Sequence, residues 1–193
     1  ISDMPCISPA GVVRNQPLCT SRSFGQVGGA LPSLRASVAT FAASCASKLR
    51  GQRGGARQLT VFICSNRFRE DLPQYSAAES TLLVVPTADT IEITTAALQL
   101  LARIYRPGFL YKKSGVILSD IADMRQVQQD LFDPIRNRPQ RARLMQTIDQ
   151  INQRYGLKTA RLAVEGEAQE PWRTKSVHRS PNYLTNLADI LVV

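Results

Sequence analysis

Two apolar stripes at helical spacing, each closed by a stop signal and flanked by strand-like runs, constrain this chain more than any other feature. Leu34, Val38, Phe41, Cys45 and Leu49 form the first stripe, with Pro32 where a first helical turn tolerates it and Gly51 as the stop. Asp89, with Glu92 three residues on, resembles a capping box. It opens the second stripe, Ile91, Thr94, Leu98, Leu101 and Tyr105, which Pro107 and Gly108 end. Around these helices the sequence predicts strands at Pro17 to Phe24, at Leu59 to Cys64, at Ser80 to Val85 and at Tyr111 to Ile121. Between the middle two, Ser65 to Gln74 is polar. The order strand, helix, strand, strand, helix, strand predicts an α+β fold, a four-stranded antiparallel sheet with both helices on one face. The other face is left open and wet, with Arg22, Lys112 and Lys113 on its strands and Arg67 and Arg69 in the connection.

This divides the chain into four parts. Residues 1–16, starting at Ile1 and holding Pro5, Pro9 and Gly11, read as a linker severed from something upstream; residues 17–122 are the sheet domain. Residues 123–139, with Pro134 and Pro139, read as an exposed tether. Residues 140–193 form a small helical and mixed extension, with a helix carrying Leu144, Ile148, Ile151 and Tyr155 up to Gly156 and a short strand near Thr159 to Val164. The chain carries 24 Lys and Arg against 15 Asp and Glu, a net charge of +9, and 13 basic against 7 acidic residues, or +6, lie before Asp123. Such a balance suits a polyanionic partner.

No apolar run reaches the roughly 18 residues of a membrane span, and no signal peptide opens the chain, so a cytoplasmic protein is expected. Cys6, Cys19, Cys45 and Cys64 form no Cys-x-x-Cys pair and read as reduced and buried. His178, the only histidine, lies in a polar stretch. The pairs Gly28-Gly29 and Gly54-Gly55 lack the ending of a phosphate loop and read as turns, and Glu70 and Asp71 have no third carboxylate at a useful spacing. No catalytic residue and no metal site is assigned.

Several stretches carry a resemblance: Cys19-Thr-Ser-Arg-Ser-Phe-Gly25, Ser65-Asn-Arg-Phe68, Gln74-Tyr-Ser76, Pro86-Thr-x-Asp89 and Tyr111-Lys-Lys-Ser-Gly-Val116. In this order and at these distances they resemble the C-terminal region of bacterial Y-family translesion DNA polymerases of the UmuC-like kind. The matching domain there is called the little finger, and the resemblance implies that residues 17–122 grip primer-template DNA without sequence preference. Arg22, Ser23, Lys112 and Lys113 are the implied contacts, with Arg67 as a further candidate. The palm and fingers, with the Mg²⁺-binding carboxylates of polymerisation, would lie upstream of residues 1–16, so this fragment itself needs no cofactor. Gly166, Pro171-Trp172 and Ser180-Pro-x-Tyr-x-Thr185 are similar to the family's C-terminal extension, although Leu187 stands where relatives usually have Trp. An UmuD'-like dimer and RecA are implied partners, and the setting is SOS lesion bypass.

Within the tether, Gln128-Gln-Asp-Leu-Phe132 resembles the motif with which bacterial polymerases dock on the sliding clamp. Leu131 and Phe132 are adjacent apolar side chains in a polar linker, suited to a partner's pocket, with Gln128 and Asp130 as the polar part of the motif. The alternative is that the pair folds back on the chain's own core. Other readings are a protein-interaction scaffold and a ferredoxin-like RNA-binding module. The latter stacks bases on aromatic residues of its central strands, and Ser80 to Val85 carries none.

Overall fold

The computed structural model describes residues 16–28, 30–125, 133, 135 and 137–166. Its elements are β1 (Leu18–Gly28), α1 (Leu31–Gly51), β2 (Gly54–Ser65), β3 (Ser76–Thr87), α2 (Thr90–Ile104), β4 (Tyr111–Asp123), α3 (Arg138–Tyr155) and a short 3-10 helix, Ala163–Glu165. The expected strand, helix, strand, strand, helix, strand order is present. The strands form one antiparallel sheet in the order β1-β4-β2-β3, so β1 and β3 are its edges.

Alternation decides which face each strand buries. Leu59, Val61 and Ile63 of β2 and Val116 and Leu118 of β4 are fully buried. They pack with Leu34, Val38, Phe41, Cys45 and Leu49 of α1 and Ile93, Ala97, Leu100 and Leu101 of α2 in one apolar core. Both helices therefore face the same side of the sheet; of the expected α2 stripe Thr94 and Leu101 are buried, while Ile91, Leu98 and Tyr105 are half-buried and Ile93, Ala97, Leu100 and Ile104 complete the inward face. At the start of α2 the Ile91 amide donates to the Asp89 carboxylate at 2.8 Å, which satisfies one of the orphan amides of a helix start.

The strands run further than the sequence suggests. β2 begins at Gly54, so Gly54-Gly55 is buried strand and no turn. A Cβ on Gly54 would stand 2.9 Å from side-chain atoms of both Ile121 and Leu49, and one on Gly55 would stand 3.2 Å from the Pro86 carbonyl. Tertiary closeness, which no local pattern encodes, makes these positions glycine. Gly28 likewise belongs to β1, while Gly29 lies outside the described residues.

Beyond the sheet domain, α3 begins at Arg138 with Pro139 in its first turn, where a missing N–H costs nothing, so residues 138 and 139, expected in the tether, are helical. No strand forms at Thr159 to Val164; that segment holds turns and the 3-10 helix. The cysteines also differ from expectation: of Cys19, Cys45 and Cys64, all free thiols, only Cys45 is buried, and Cys19 is exposed. Burial pushes the Cys45 thiol above its ordinary range, against a hydrogen bond with Thr20. Cys6, His178, Trp172 and Tyr183 lie outside the described residues.

Candidate nucleic-acid interface

Residues paired directly across an antiparallel ladder share a face, so register identifies what the helix-free side displays. Ser21 pairs with Gly115 and Ser23 with Lys113 across β1 and β4; Thr60 pairs with Ile117 and Phe62 with Gly115 across β2 and β4. Ser80 and Leu82 of β3 face Thr60 and Gln58. This side is mostly hydroxyl-bearing and apolar: Thr60 and Ser80 hydroxyls bond at 2.8 Å, and Leu82 is 65% exposed. Lys113 is its cation, its ammonium 5.8 Å from the centre of the Phe62 ring. A surface of small polar groups lets an extended backbone approach closely, and one half-buried lysine adds charge without crowding.

The other predicted contacts are distributed differently. Arg22 pairs with Ser114, a buried residue whose hydroxyl lies 3.1 Å from that of Ser37 on α1. Arg22 therefore stands on the helix-bearing side of edge strand β1, not on the open face. The reason is parity: Phe24, 3% exposed, and Thr20, bonded to Cys45, fix the inward set of β1, and Arg22 lies between them. Lys112 falls at an irregularity in the ladder, since Cys64 pairs with Lys113 but Ser65 with Tyr111. Its ammonium donates to the Phe24 carbonyl at 2.7 Å, tying β4 to β1. Ser23 and Lys113 are thus brought together, while Arg22 and Lys112 are not.

Arg67 lies in the β2–β3 connection, at the end of the sheet where Lys113 sits. Gln74 orders that loop: Ser65 Oγ donates to its Oε1 at 2.9 Å, and its Nε2 donates to the carbonyls of Asn66, Arg69 and Leu72 at 3.1, 2.7 and 3.1 Å. Arg69 and Asp71 form a two-point ion pair that holds the Asp71 carboxyl below its ordinary range. Arg67 and Phe68 remain exposed, Phe68 at 95%. Gln74 opens the stretch Gln74-Tyr-Ser76 that carries the resemblance, whereas Phe62 belongs to none of those stretches. Phe62 is the aromatic residue of Thr60, Phe62 and Cys64, which alternate on the open side of the central strand β2, whereas Ser80 to Val85 lies in edge strand β3.

Behind the sheet domain, charge fastens the extension. Arg50 of α1 donates to both oxygens of Asp149 on α3, at 2.6 and 2.7 Å, and to the Ala88 carbonyl at 2.8 Å. Arg138 reaches Glu92 at 3.1 Å and also pairs with Asp133, and Arg141 pairs with Asp89 at 2.5 Å. Glu92 thus engages α3 instead of reciprocating the Asp89 cap. Met145 is the one buried residue of α3. The expected inner residues Leu144 and Tyr155 are 49% and 66% exposed, because the ion pairs turn Arg138, Arg141, Met145 and Asp149 inward.

The motif residues Gln128, Asp130, Leu131 and Phe132 lie outside the described residues. Among the described residues no group of three or more His, Cys, Asp and Glu could hold a metal ion. No described helix is long and apolar enough to cross a membrane.

Comparison with known proteins shows the family to which the chain belongs. The family model described as impB/mucB/samB family C-terminal domain matches residues 15–131, and one described as a domain of unknown function, DUF4113, matches residues 142–193. Protein UmuC of Salmonella typhimurium strain LT2 is 34% identical over 178 residues, 92% of this chain and 42% of the relative. Protein ImpB of Salmonella typhimurium is 36% identical over 96% of the chain and 43% of its own length. Protein SamB of the same organism is 37% identical over 91% and 41%. The chain spans about two fifths of the length of these relatives.

Proposed function

Because the chain belongs to the impB/mucB/samB family and matches the C-terminal region of UmuC-like Y-family proteins, we propose that it is the DNA-gripping, clamp-docking part of an error-prone translesion DNA polymerase acting in SOS lesion bypass in the cytoplasm. The observation that carries the gripping role is the helix-free sheet face, where Ser21, Ser23, Thr60 and Ser80 present hydroxyls beside Lys113. Contacts of this kind hold phosphates and fix register without reading bases, as a sliding polymerase requires. Arg67 on its ordered loop adds a cation at the rim, and Lys112 sets the position of Lys113 through the Phe24 carbonyl. In the whole protein, Mg²⁺ held by upstream carboxylates would supply the phosphoryl-transfer chemistry. Gln128, Asp130, Leu131 and Phe132 would dock on the sliding clamp, and an UmuD'-like dimer and RecA would be further partners.

The test is equilibrium binding of the chain to a primer-template duplex across a salt series. Affinity on the order of 10⁻⁴ to 10⁻⁶ M near physiological salt is expected, with no preference among sequences. Lys113→Glu should weaken binding and flatten the salt slope by about 1, the amount for one lost phosphate contact. An unchanged slope in that variant overturns the assigned face.

A further inference from the structure

A cleft of about 560 Å³ opens between α1, β1 and the C-terminal extension, on the side of the molecule away from the helix-free face. Its volume suits a small ligand or a short stretch of single strand and is far too small for a duplex. The acidic groups on its wall are already engaged: Asp149 is held at both oxygens by Arg50, and buried Glu165 accepts from the Leu162 amide at 3.0 Å. Arg22, Lys48 and Arg161 line the same cleft, all exposed and outside the ion pairs that fasten the extension. From Thr40 to Arg50, the part of α1 that forms one wall spans about 15 Å at the helical rise. Ile148, Leu157 and Leu162 supply an apolar ledge opposite, Leu157 being 92% exposed.

We propose that this cleft is a second nucleic-acid site that takes the phosphate backbone of a single strand, with Arg22, Lys48 and Arg161 on phosphates and the apolar ledge against base faces. Single strands are held without sequence preference by a cationic groove along the backbone together with side chains packed on the base faces, most strongly aromatic ones; here the ledge is aliphatic. Edge strand β1 links the two sites: Ser23 pairs with Lys113 on the helix-free face, while its neighbour Arg22 faces the cleft. A strand leaving a duplex held on that face would cross β1 and enter the cleft. This path rests on the DNA-gripping role proposed above; the cleft's own binding does not.

The test uses fluorescence anisotropy of the full 193-residue chain with labelled oligo(dT) and, separately, a blunt duplex. The triple variant Arg22→Gln, Lys48→Gln, Arg161→Gln should bind oligo(dT) about tenfold more weakly or worse, with the salt slope reduced by about 2, the amount for three single-strand phosphate contacts. Its duplex affinity and thermal midpoint should stay close to the parent's, since all three side chains are exposed. Lys113→Gln should show the reverse preference. Unchanged oligo(dT) binding in the triple variant overturns the proposal, as does an equal loss on both probes or competition by polyglutamate as strong as by oligo(dT). A triple variant that loses oligo(dT) binding, in a chain whose parent never bound duplex, upholds the cleft while the helix-free face fails.

Discussion

At Gly115 the missing side chain lets the Phe62 ring cover β4. An added Cβ would lie 2.6 Å from the Cβ of Ser21 and would also meet the ring. One of these neighbours is close to the backbone of β1, so the clash cannot be relieved by a rotamer change alone. Gly115→Ala is expected to cost about 1–3 kcal/mol, the usual penalty of overpacking. Chemical denaturation checks this, and a variant as stable as the parent would show that β1 yields freely. The same substitution should also weaken duplex binding, because Phe62 carries Lys113 and both would shift. Gln74 has a comparable place in the β2–β3 loop, where one side chain satisfies three carbonyls.

Among the three α-helices, α3 has the least apolar support. Met145 is its only buried residue, and its attachment rests on Arg50–Asp149, Arg141–Asp89 and the Arg138 pairs with Glu92 and Asp133. Half-buried ion pairs are costly to break from one side, because the partner charge is left without compensation. Arg138→Met should therefore strip hydrogen-exchange protection from α3 while β2 and β4 keep theirs. Equal protection in both would mean that Met145 and Arg50 suffice.

Acid should act on the same joint. The Arg138 guanidinium holds the Asp133 carboxyl below its ordinary range, a pull that burial opposes and the Ile135 amide assists. A carboxyl depressed in the folded state contributes stability that is complete above its unfolded pKa, about 3.9, and is lost as pH falls through the lower folded value. The thermal midpoint should fall below about pH 4, and part of that fall should disappear in Asp133→Asn.

For the whole molecule, the distribution of charge separates two surfaces that the net charge of +9 cannot distinguish. The helix-free face is nearly neutral apart from Lys113, and the cations of the cleft stand on the opposite side. The proposed docking on the sliding clamp concerns the whole molecule too. Leu131→Ala with Phe132→Ala is expected to abolish binding to the sliding clamp, from a Kd of about 1 μM, and to leave the thermal midpoint and duplex affinity nearly unchanged. A large fall in the thermal midpoint with clamp binding intact would place the pair in the protein's own core.

The sequence alone determined the element order, the burial of the α1 stripe, the Asp89 cap and the family, because each is written in local periodicity, in capping chemistry or in motifs at fixed spacing. The family followed from Cys19–Gly25 and Tyr111–Val116 in the same way. Only the tertiary structure decided which side of β1 carries Arg22, that Lys112 sits at a ladder irregularity, that Gly54 and Gly55 are strand, and which face α3 turns inward. The physical reason is common to all four. Strand parity depends on which neighbours are buried across the sheet, a glycine's necessity depends on atoms distant in sequence, and a helix docked by ion pairs follows its partners' positions and not its own apolar spacing.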